Sequence, residues 1–135
     1  MTTSYLLDTN VASDVIRGTS ARARERLIAL PPHAVALSAV SQGELIYGLR
    51  KKGSPVALSG LIRAFLESMK VLPWTAEVAD AYGSLRASCA ARGVSLGALN
   101  MMIAAHAVAT GSVLVTRDLA FRHLAPHLIV QDWTI

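Results

Sequence analysis

Three acidic residues follow or interrupt apolar segments in a way that could build one site. Asp8 ends the run LLD, Asp118 ends LVTRD, and Glu44 lies among apolar neighbours in SAVSQGELIYGL. Acids that converge repel one another unless a cation holds them, and carboxylate oxygens with room for water are the ligands that Mg²⁺ or Mn²⁺ prefers. The three residues therefore predict a metal site if the fold brings them together.

Glu44 also has a structural interpretation. Ser41 stands three residues before it, which is the spacing of a capping box at a helix N-terminus. The sequence leaves both interpretations of Glu44 open.

Short apolar strands alternate with helical patterns along the chain, and helix-stopping residues such as Gly18, Gly93 and Gly111 punctuate them. We expect strands at 5–7, 34–37, 71–72, 112–115 and 128–130. We expect helices at 10–17, 20–30, 40–52, 58–69, 76–92 and 99–110. This alternation predicts a mostly parallel sheet with helices on both faces. Ligands of such sheets gather beyond the carboxyl ends of the strands, which is where Asp8 and Asp118 fall.

The composition predicts one soluble domain over residues 1–135. With 53% hydrophobic residues, a chain of this length can bury about two-thirds of its unfolded surface. Its apolar runs are too interrupted for a membrane helix of roughly 20 residues, and its first residues lack the pattern of a secretory signal. The single cysteine, Cys89, lies on the apolar side of a helical pattern, which predicts a buried thiol in a reducing cytoplasm.

Ten of the thirteen basic residues are arginines, and the net charge of the chain is +4. A planar guanidinium suits phosphate recognition, so this balance favours a nucleic-acid partner. Arg22, Arg24 and Arg26 fit equally well on the solvated face of a helix.

The chain contains, in this order, the segments LLDTN, SxxxxGELIYGL, GxLNMMIAAHA, LVTRDxxF and QDW. Together they resemble a PIN domain, in particular the VapC-type toxins of bacterial toxin-antitoxin pairs. The resemblance implies an α/β fold, a PIN-domain-like α/β/α sandwich with a mostly parallel central sheet. It also implies a Mg²⁺-dependent endoribonuclease, with Mn²⁺ as a substitute, that cleaves structured RNA such as tRNA or rRNA.

Positions matched to the family pattern identify the expected site. Asp8, Glu44 and Asp118 match catalytic, metal-binding acids, and Asn10 and Thr116 match polar residues that line the site.

Asn100 stands where the family pattern has an aspartate. It could be the N-cap of the helix that begins at MMIAAHA. It could be a natural variant whose carbonyl oxygen still reaches the metal but whose missing charge weakens metal binding and activity. It could also be a deliberate Asp-to-Asn replacement in a toxic nuclease, and the sequence does not distinguish the last two interpretations.

Basic residues near the acids are candidates for binding substrate phosphates. Arg117 precedes Asp118, and Arg50, Lys51 and Lys52 form a run. Each could instead be an ordinary surface charge. We expect single-stranded loops as targets, because their backbone bends and their bases splay.

The resemblance also implies partners. VapC-type proteins form homodimers, and a VapB-type antitoxin wraps across the acidic groove to give a heterotetramer or a larger complex. Operator DNA is reached only through the antitoxin, and no membrane is involved. The apolar helix at 58–69 is expected to contribute to this surface, with half or more of its apolar face in the core.

Other residues that could suggest chemistry are assigned to packing. His106 in AAHAVA is expected to be a hydrogen-bonded core histidine, and Tyr47 and Trp133 are expected to pack rather than stack on bases. His123 and His127 have HxxxH spacing, but Pro126 between them disfavours a helical zinc site.

Two other classes of function compete with the nuclease interpretation. A haloacid dehalogenase-type phosphatase needs a DxD pair, and here Asp8 is followed by Thr9 and Asn10. A non-catalytic PIN protein that binds an antitoxin and regulates its own transcription stays open, because Asn100 removes one acid.

Overall fold

The computed structural model describes residues 3–135 and contains a parallel sheet of five strands. The strands are β1 (Tyr5–Leu7), β2 (Val35–Ser38), β3 (Lys70–Leu72), β4 (Val113–Val115) and β5 (Val130–Gln131). Their order across the sheet is β3-β2-β1-β4-β5, with β1 paired to both β2 and β4. The direction of winding changes between β1 and β4, and the carboxyl edge at such a change is where open α/β sheets bind ligands.

Six α-helices connect or follow the strands within the described residues. They are α1 (Thr9–Arg17), α2 (Ala21–Ile28), α3 (Ala39–Lys51), α4 (Val56–Ser68), α5 (Ala76–Ala91) and α6 (Ala98–Ala109). Two 3₁₀ helices span Pro32–Ala34 and Leu119–Leu124. Every predicted helix is present, with ends displaced by no more than two residues.

Alternation along each strand divides the core into two layers. Leu7, Leu37 and Val115 lie in the cluster that includes side chains from α1 to α4, whereas Leu6 and Leu114 lie in the cluster with α5 and α6. Successive strand residues point to opposite faces, so both faces of the sheet are covered. This arrangement confirms the predicted α/β/α sandwich.

Local chemistry explains most of the element ends. Gly18 adopts φ 71° at the end of α1, a conformation that favours glycine, and Ser20 caps α2 by accepting a hydrogen bond from Ala23 N. The last strand was predicted to begin two residues and to end one residue too early. Leu128 is a core residue outside the strand, because only Val130 and Gln131 pair with β4.

Three of the four residues that were predicted to pack in the core do so. Cys89, His106 and Trp133 are buried, as expected, whereas Tyr47 is 65% exposed. The prediction for Tyr47 was wrong because α3 buries the face that carries Leu45. Within residues 3–135, no helix is both long enough and apolar enough to cross a membrane.

Candidate active site

Asp8 lies directly beyond β1 and is almost fully buried, at 3% exposure. Its backbone N–H continues the sheet by donating to Val115 O at 2.8 Å. Its carboxylate caps α1, with Oδ1 accepting from Thr9 N at 2.7 Å, and Oδ2 accepts from the Thr116 hydroxyl at 2.8 Å. Asp8 is therefore fixed by both of the strands that meet at the change in winding.

The loop after β4 brings a second carboxylate to this edge. Thr116 is buried and accepts a hydrogen bond from Asp118 N at 3.1 Å, so one hydroxyl connects Asp8 to the backbone of Asp118. Oδ1 of Asp118 accepts from Ala120 N at 2.9 Å and caps the 3₁₀ helix that follows.

Glu44 reaches the same place from α3. The Thr9 hydroxyl lies 2.7 Å from Oε1 of Glu44 and 2.8 Å from the Ser41 hydroxyl. The capping-box interpretation was wrong, because Ser38 caps α3 through Val40 N and Ser41 is already inside the helix. The Glu44 side chain is directed toward α1 instead.

The charges of Glu44 and Asp118 act on the carboxylate of Asp8. Burial raises the pKa of Asp8 above its ordinary value of 3.8, and the charges of Glu44 and Asp118 raise it further. Hydrogen bonds from Thr116 and Thr9 act in the opposite direction by stabilising the carboxylate. The fold thus gathers negative charge at a partly desolvated edge of the sheet.

The donor set fits a hard divalent cation in its chemistry. Carboxylates that raise one another's proton affinity would be relieved by a cation, and oxygen ligands suit Mg²⁺ or Mn²⁺. Among residues 3–135, no group of three His, Cys, Asp or Glu side chains is positioned to hold a metal ion without a side-chain movement. Thr9 engages Oε1 of Glu44, so a metal would bind through the other oxygen of this carboxylate while Thr9 keeps its direction.

Asn100 lies near this edge but is not joined to the acids. Gly97 is the N-cap of α6 and Asn100 is the third helical residue, which rules out the N-cap alternative for Asn100. Since α6 leads through a short turn into β4, its N-terminus lies toward the carboxyl edge of the sheet. Among the side-chain hydrogen bonds of residues 3–135, none connects Asn100 to Asp8, Glu44 or Asp118.

A cleft beside Glu44 contains two predicted site residues, Glu44 and Asn10, together with polar residues that were not predicted. Its polar lining comprises Thr9, Asn10, Ser13, Arg17 and Glu44, and its apolar lining includes Leu58 and Ile62 of α4. Thr9 and Arg17 were missed as site residues. The available signals were that Thr9 directly follows Asp8 and that Arg17 lies eight residues later, on the face of α1 that Asn10 and Ser13 share.

The predicted phosphate-binding residues occupy different places. Arg117 forms an ion pair with Asp14, with Nε 3.0 Å from Oδ2. Arg50, Lys51 and Lys52 are exposed at the C-terminal end of α3. Lys51 is seven residues beyond Glu44, about 10 Å along the helix axis.

Comparison with known proteins identifies the family. The PIN domain model matches residues 5–126. The chain is 31% identical over 129 residues to the tRNA(fMet)-specific endonuclease VapC of Salmonella typhimurium, covering 96% of this chain and 97% of that protein. It is 32% identical over 130 residues to the tRNA(fMet)-specific endonuclease VapC of Shigella flexneri, covering 96% and 98%.

A solved structure agrees with these sequence matches. VapBC2 from Rickettsia felis, bound to a DNA fragment from its promoter, matches with a TM-score of 0.88 and 28% identity, over 96% of this chain and 98% of that chain. The chain therefore belongs to the PIN domain family and, within it, to the VapC-type proteins.

Proposed function

We propose that this chain is a metal-dependent endoribonuclease toxin whose activity a VapB-type antitoxin neutralises. The observation that carries the proposal is the meeting of Asp8, Glu44 and Asp118 at the change in winding, where the two other acids raise the pKa of buried Asp8. A structural role alone does not require three acids at one buried edge, since uncompensated buried charge costs stability.

The residues of the site have separate tasks in this proposal. Asp8, Glu44 and Asp118 would hold Mg²⁺, or Mn²⁺ in its place, through carboxylate oxygens. The metal supplies positive charge, which makes water a stronger acid and stabilises the charge that builds up as a phosphodiester is cleaved. Thr116 fixes the orientation of Asp8, and Thr9 holds Glu44 beside it.

Asn100 limits this activity in the proposal. The amide would offer an oxygen but no negative charge, so the metal would bind more weakly than with four carboxylates. We infer a weakened or inactivated form. Residual metal-dependent cleavage by the unmodified chain separates the two, and Asn100→Asp should raise the activity in either case.

The substrate proposed is structured RNA, tRNA or rRNA, cut at an accessible loop. Support comes from relatives named for cleavage of tRNA(fMet) and from the basic residues flanking the acidic edge, Arg17 in the cleft and Arg117 in the loop after β4. A flexible single strand could enter the cleft more readily than a duplex.

The antitoxin proposed here would cover the cleft between α1, α3 and α4. Leu58 lines this cleft and Leu61 is 50% exposed, whereas Ile62 and Phe65 are buried in the core. The VapBC2 neighbour was solved on promoter DNA, which supports operator binding through the antitoxin. Exposed Tyr47 and Leu99, which line one groove between α3 and α6, would support a homodimer and a heterotetramer or larger complex.

Nucleotide-resolution mapping of cleavage tests the proposal. Total bacterial RNA would be incubated with the unmodified chain, Asn100→Asp and Asp8→Asn, each with Mg²⁺, Mn²⁺ or a chelator. We expect discrete metal-dependent cuts that appear or sharpen with Asn100→Asp and disappear with Asp8→Asn. Failure of folded Asn100→Asp to cut any RNA would contradict the nuclease proposal.

A second candidate is a non-catalytic protein that binds an antitoxin and regulates its own transcription. Asn100, in place of an acid, is the observation that favours it. This candidate predicts that neither the unmodified chain nor Asn100→Asp is stabilised by Mn²⁺, whereas the nuclease proposal predicts stabilisation of at least the latter.

A further inference from the structure

His106 forms a buried connection between two helices. It lies in α6, is 1% exposed, and its Nδ1 is 2.7 Å from the hydroxyl oxygen of Ser38 at the end of β2. The ring of Trp74 meets it edge-on, with centroids 5.8 Å apart and an interplanar angle of 85°. These contacts hold the imidazole in one orientation.

The contacts of Ser38 favour one direction for this hydrogen bond. Its oxygen already accepts from Val40 N at 3.1 Å, which caps the first turn of α3. If the single hydroxyl hydrogen of Ser38 is donated to Nδ1, His106 is the acceptor and carries its proton on Nε2. Burial lowers the pKa of His106, which agrees with a neutral ring.

Both helices joined by this contact carry residues of the proposed metal site. Ser38 starts α3, and Glu44 follows in its second turn, at about 9 Å along the axis. Asn100 lies six residues before His106 in α6. A movement of α3 relative to α6 would therefore move Glu44 relative to both Thr9 and Asn100.

We propose that His106 is a positioning residue that, through Ser38, sets the placement of α3 and hence of Glu44 at the metal site. This inference rests on the proposed function. His106 does not contact substrate or metal in this role, and its effect passes entirely through the capping hydroxyl.

Two amide variants separate this role from general packing. In Asn the amide oxygen branches from the same carbon as Nδ1 does in His, so His106→Asn keeps an acceptor for Ser38. In Gln the amide lies one carbon farther out, so His106→Gln keeps polarity but misplaces the acceptor. The measurement is Mn²⁺ affinity by isothermal titration calorimetry, in the unmodified chain and in the Asn100→Asp background.

We expect His106→Gln and Ser38→Ala each to weaken Mn²⁺ binding by about tenfold, as is usual when support of a ligand is lost. The double variant should lose no more than Ser38→Ala alone, because Ser38→Ala already removes the contact that His106→Gln disrupts. His106→Asn should stay close to the parent. Leu128→Ala removes core volume beside the edge strand β5, three strands from β2, so it should lower the melting temperature without changing Mn²⁺ affinity.

Equal Mn²⁺ affinity in His106→Gln, His106→Asn and the parent would overturn the positioning role while leaving the metal site intact. Loss of affinity in Leu128→Ala equal to that in His106→Gln would also overturn it, because affinity would then follow stability alone. Absence of Mn²⁺ binding in both the unmodified chain and Asn100→Asp would overturn the metal site and this role together.

Discussion

The Thr116 hydroxyl donates to Oδ2 of Asp8 at 2.8 Å and joins the ends of the two strands at which the sheet changes direction. The same oxygen of Thr116 accepts from Asp118 N, so a neutral side chain connects two acids. The contact stabilises the ionised form of Asp8 against burial and against its acidic neighbours. The site is thus organised by hydroxyl groups before any cation contributes.

Asp8→Asn should stabilise the protein near neutral pH. The pKa of Asp8 is raised on folding, so its stabilising contribution is present below about pH 3.8 and is lost as pH rises through the folded pKa. An Asn side chain does not ionise, so Asp8→Asn avoids this loss of stability as pH rises, and Asn remains a good N-cap for α1. Urea unfolding should show a gain of about 1 kcal/mol at pH 7 that shrinks on acidification.

Mn²⁺ should no longer raise the stability of Asp8→Asn, because the variant lacks a carboxylate of the proposed metal site. A substitution that only stabilised the fold would leave the effect of Mn²⁺ unchanged. Asp80→Asn makes the same change at an exposed position of α5, outside the site, and serves as the control. A loss of stability at pH 7 in Asp8→Asn would mean that its hydrogen bonds outweigh the burial of charge.

Thr9→Val should weaken metal binding with little loss of shape. The substitution keeps the branched side chain but removes the hydroxyl that lies 2.7 Å from Glu44 Oε1. Glu44 would lose its fixed direction, and we expect Mn²⁺ affinity to fall about tenfold. Thr9→Ser retains the hydroxyl and should bind Mn²⁺ like the parent in calorimetry, so equal affinity in Thr9→Val and Thr9→Ser would refute the role of this hydroxyl.

The strand ends were predictable because short apolar runs are strong local signals. Asp8 and Asp118 each follow such a run, and the connection between parallel strands then requires both to lie at one edge. Glu44 was recognisable from its apolar neighbours and from the family pattern. The strand ends depend on apolar runs and on residue spacing, which a sequence displays directly.

Contacts between distant residues were not predictable in the same way. Thr9 bonds Glu44 across 35 positions, and Arg117 bonds Asp14 across 103. The role of Asn100 was left open because Asn is a good N-cap by propensity. In the structure Gly97 takes the cap position and Asn100 lies inside α6, so propensity did not decide its place.

Arg17 and Arg117 should differ from Arg50 in RNA binding. Arg17 lines the cleft beside Glu44, and Arg117 follows β4 at the acidic edge, whereas Arg50 lies at the far end of α3. Binding of a short single-stranded oligonucleotide to Asp8→Asn would be measured against salt concentration. Arg17→Ala and Arg117→Ala should each weaken binding and reduce the salt slope by about 0.7, since each removes one phosphate contact with a single strand.

Arg50→Ala is the matched control and should leave both affinity and slope unchanged. Asp14→Asn should strengthen binding slightly, because it releases Arg117 from its ion pair. Equal losses in all three arginine variants would indicate a general effect of net charge rather than a defined path for the phosphates.

His106 should make the folded protein sensitive to acid. Its pKa is lowered from 6.5 by burial, so its contribution to stability is complete above pH 6.5 and is lost as pH falls through the folded pKa. In that interval the unfolded chain binds the extra proton, and stability should fall by up to about 1.4 kcal/mol per pH unit. Urea unfolding between pH 8 and pH 5 should show a smaller fall in stability for His106→Asn than for the parent.

Asp8 opposes this trend in both proteins, so the difference between them isolates His106. His33→Asn, at an exposed position, controls for the loss of an imidazole. Parallel curves for His106→Asn and the parent would show that the buried ring accepts a proton in the folded protein as readily as in the unfolded chain.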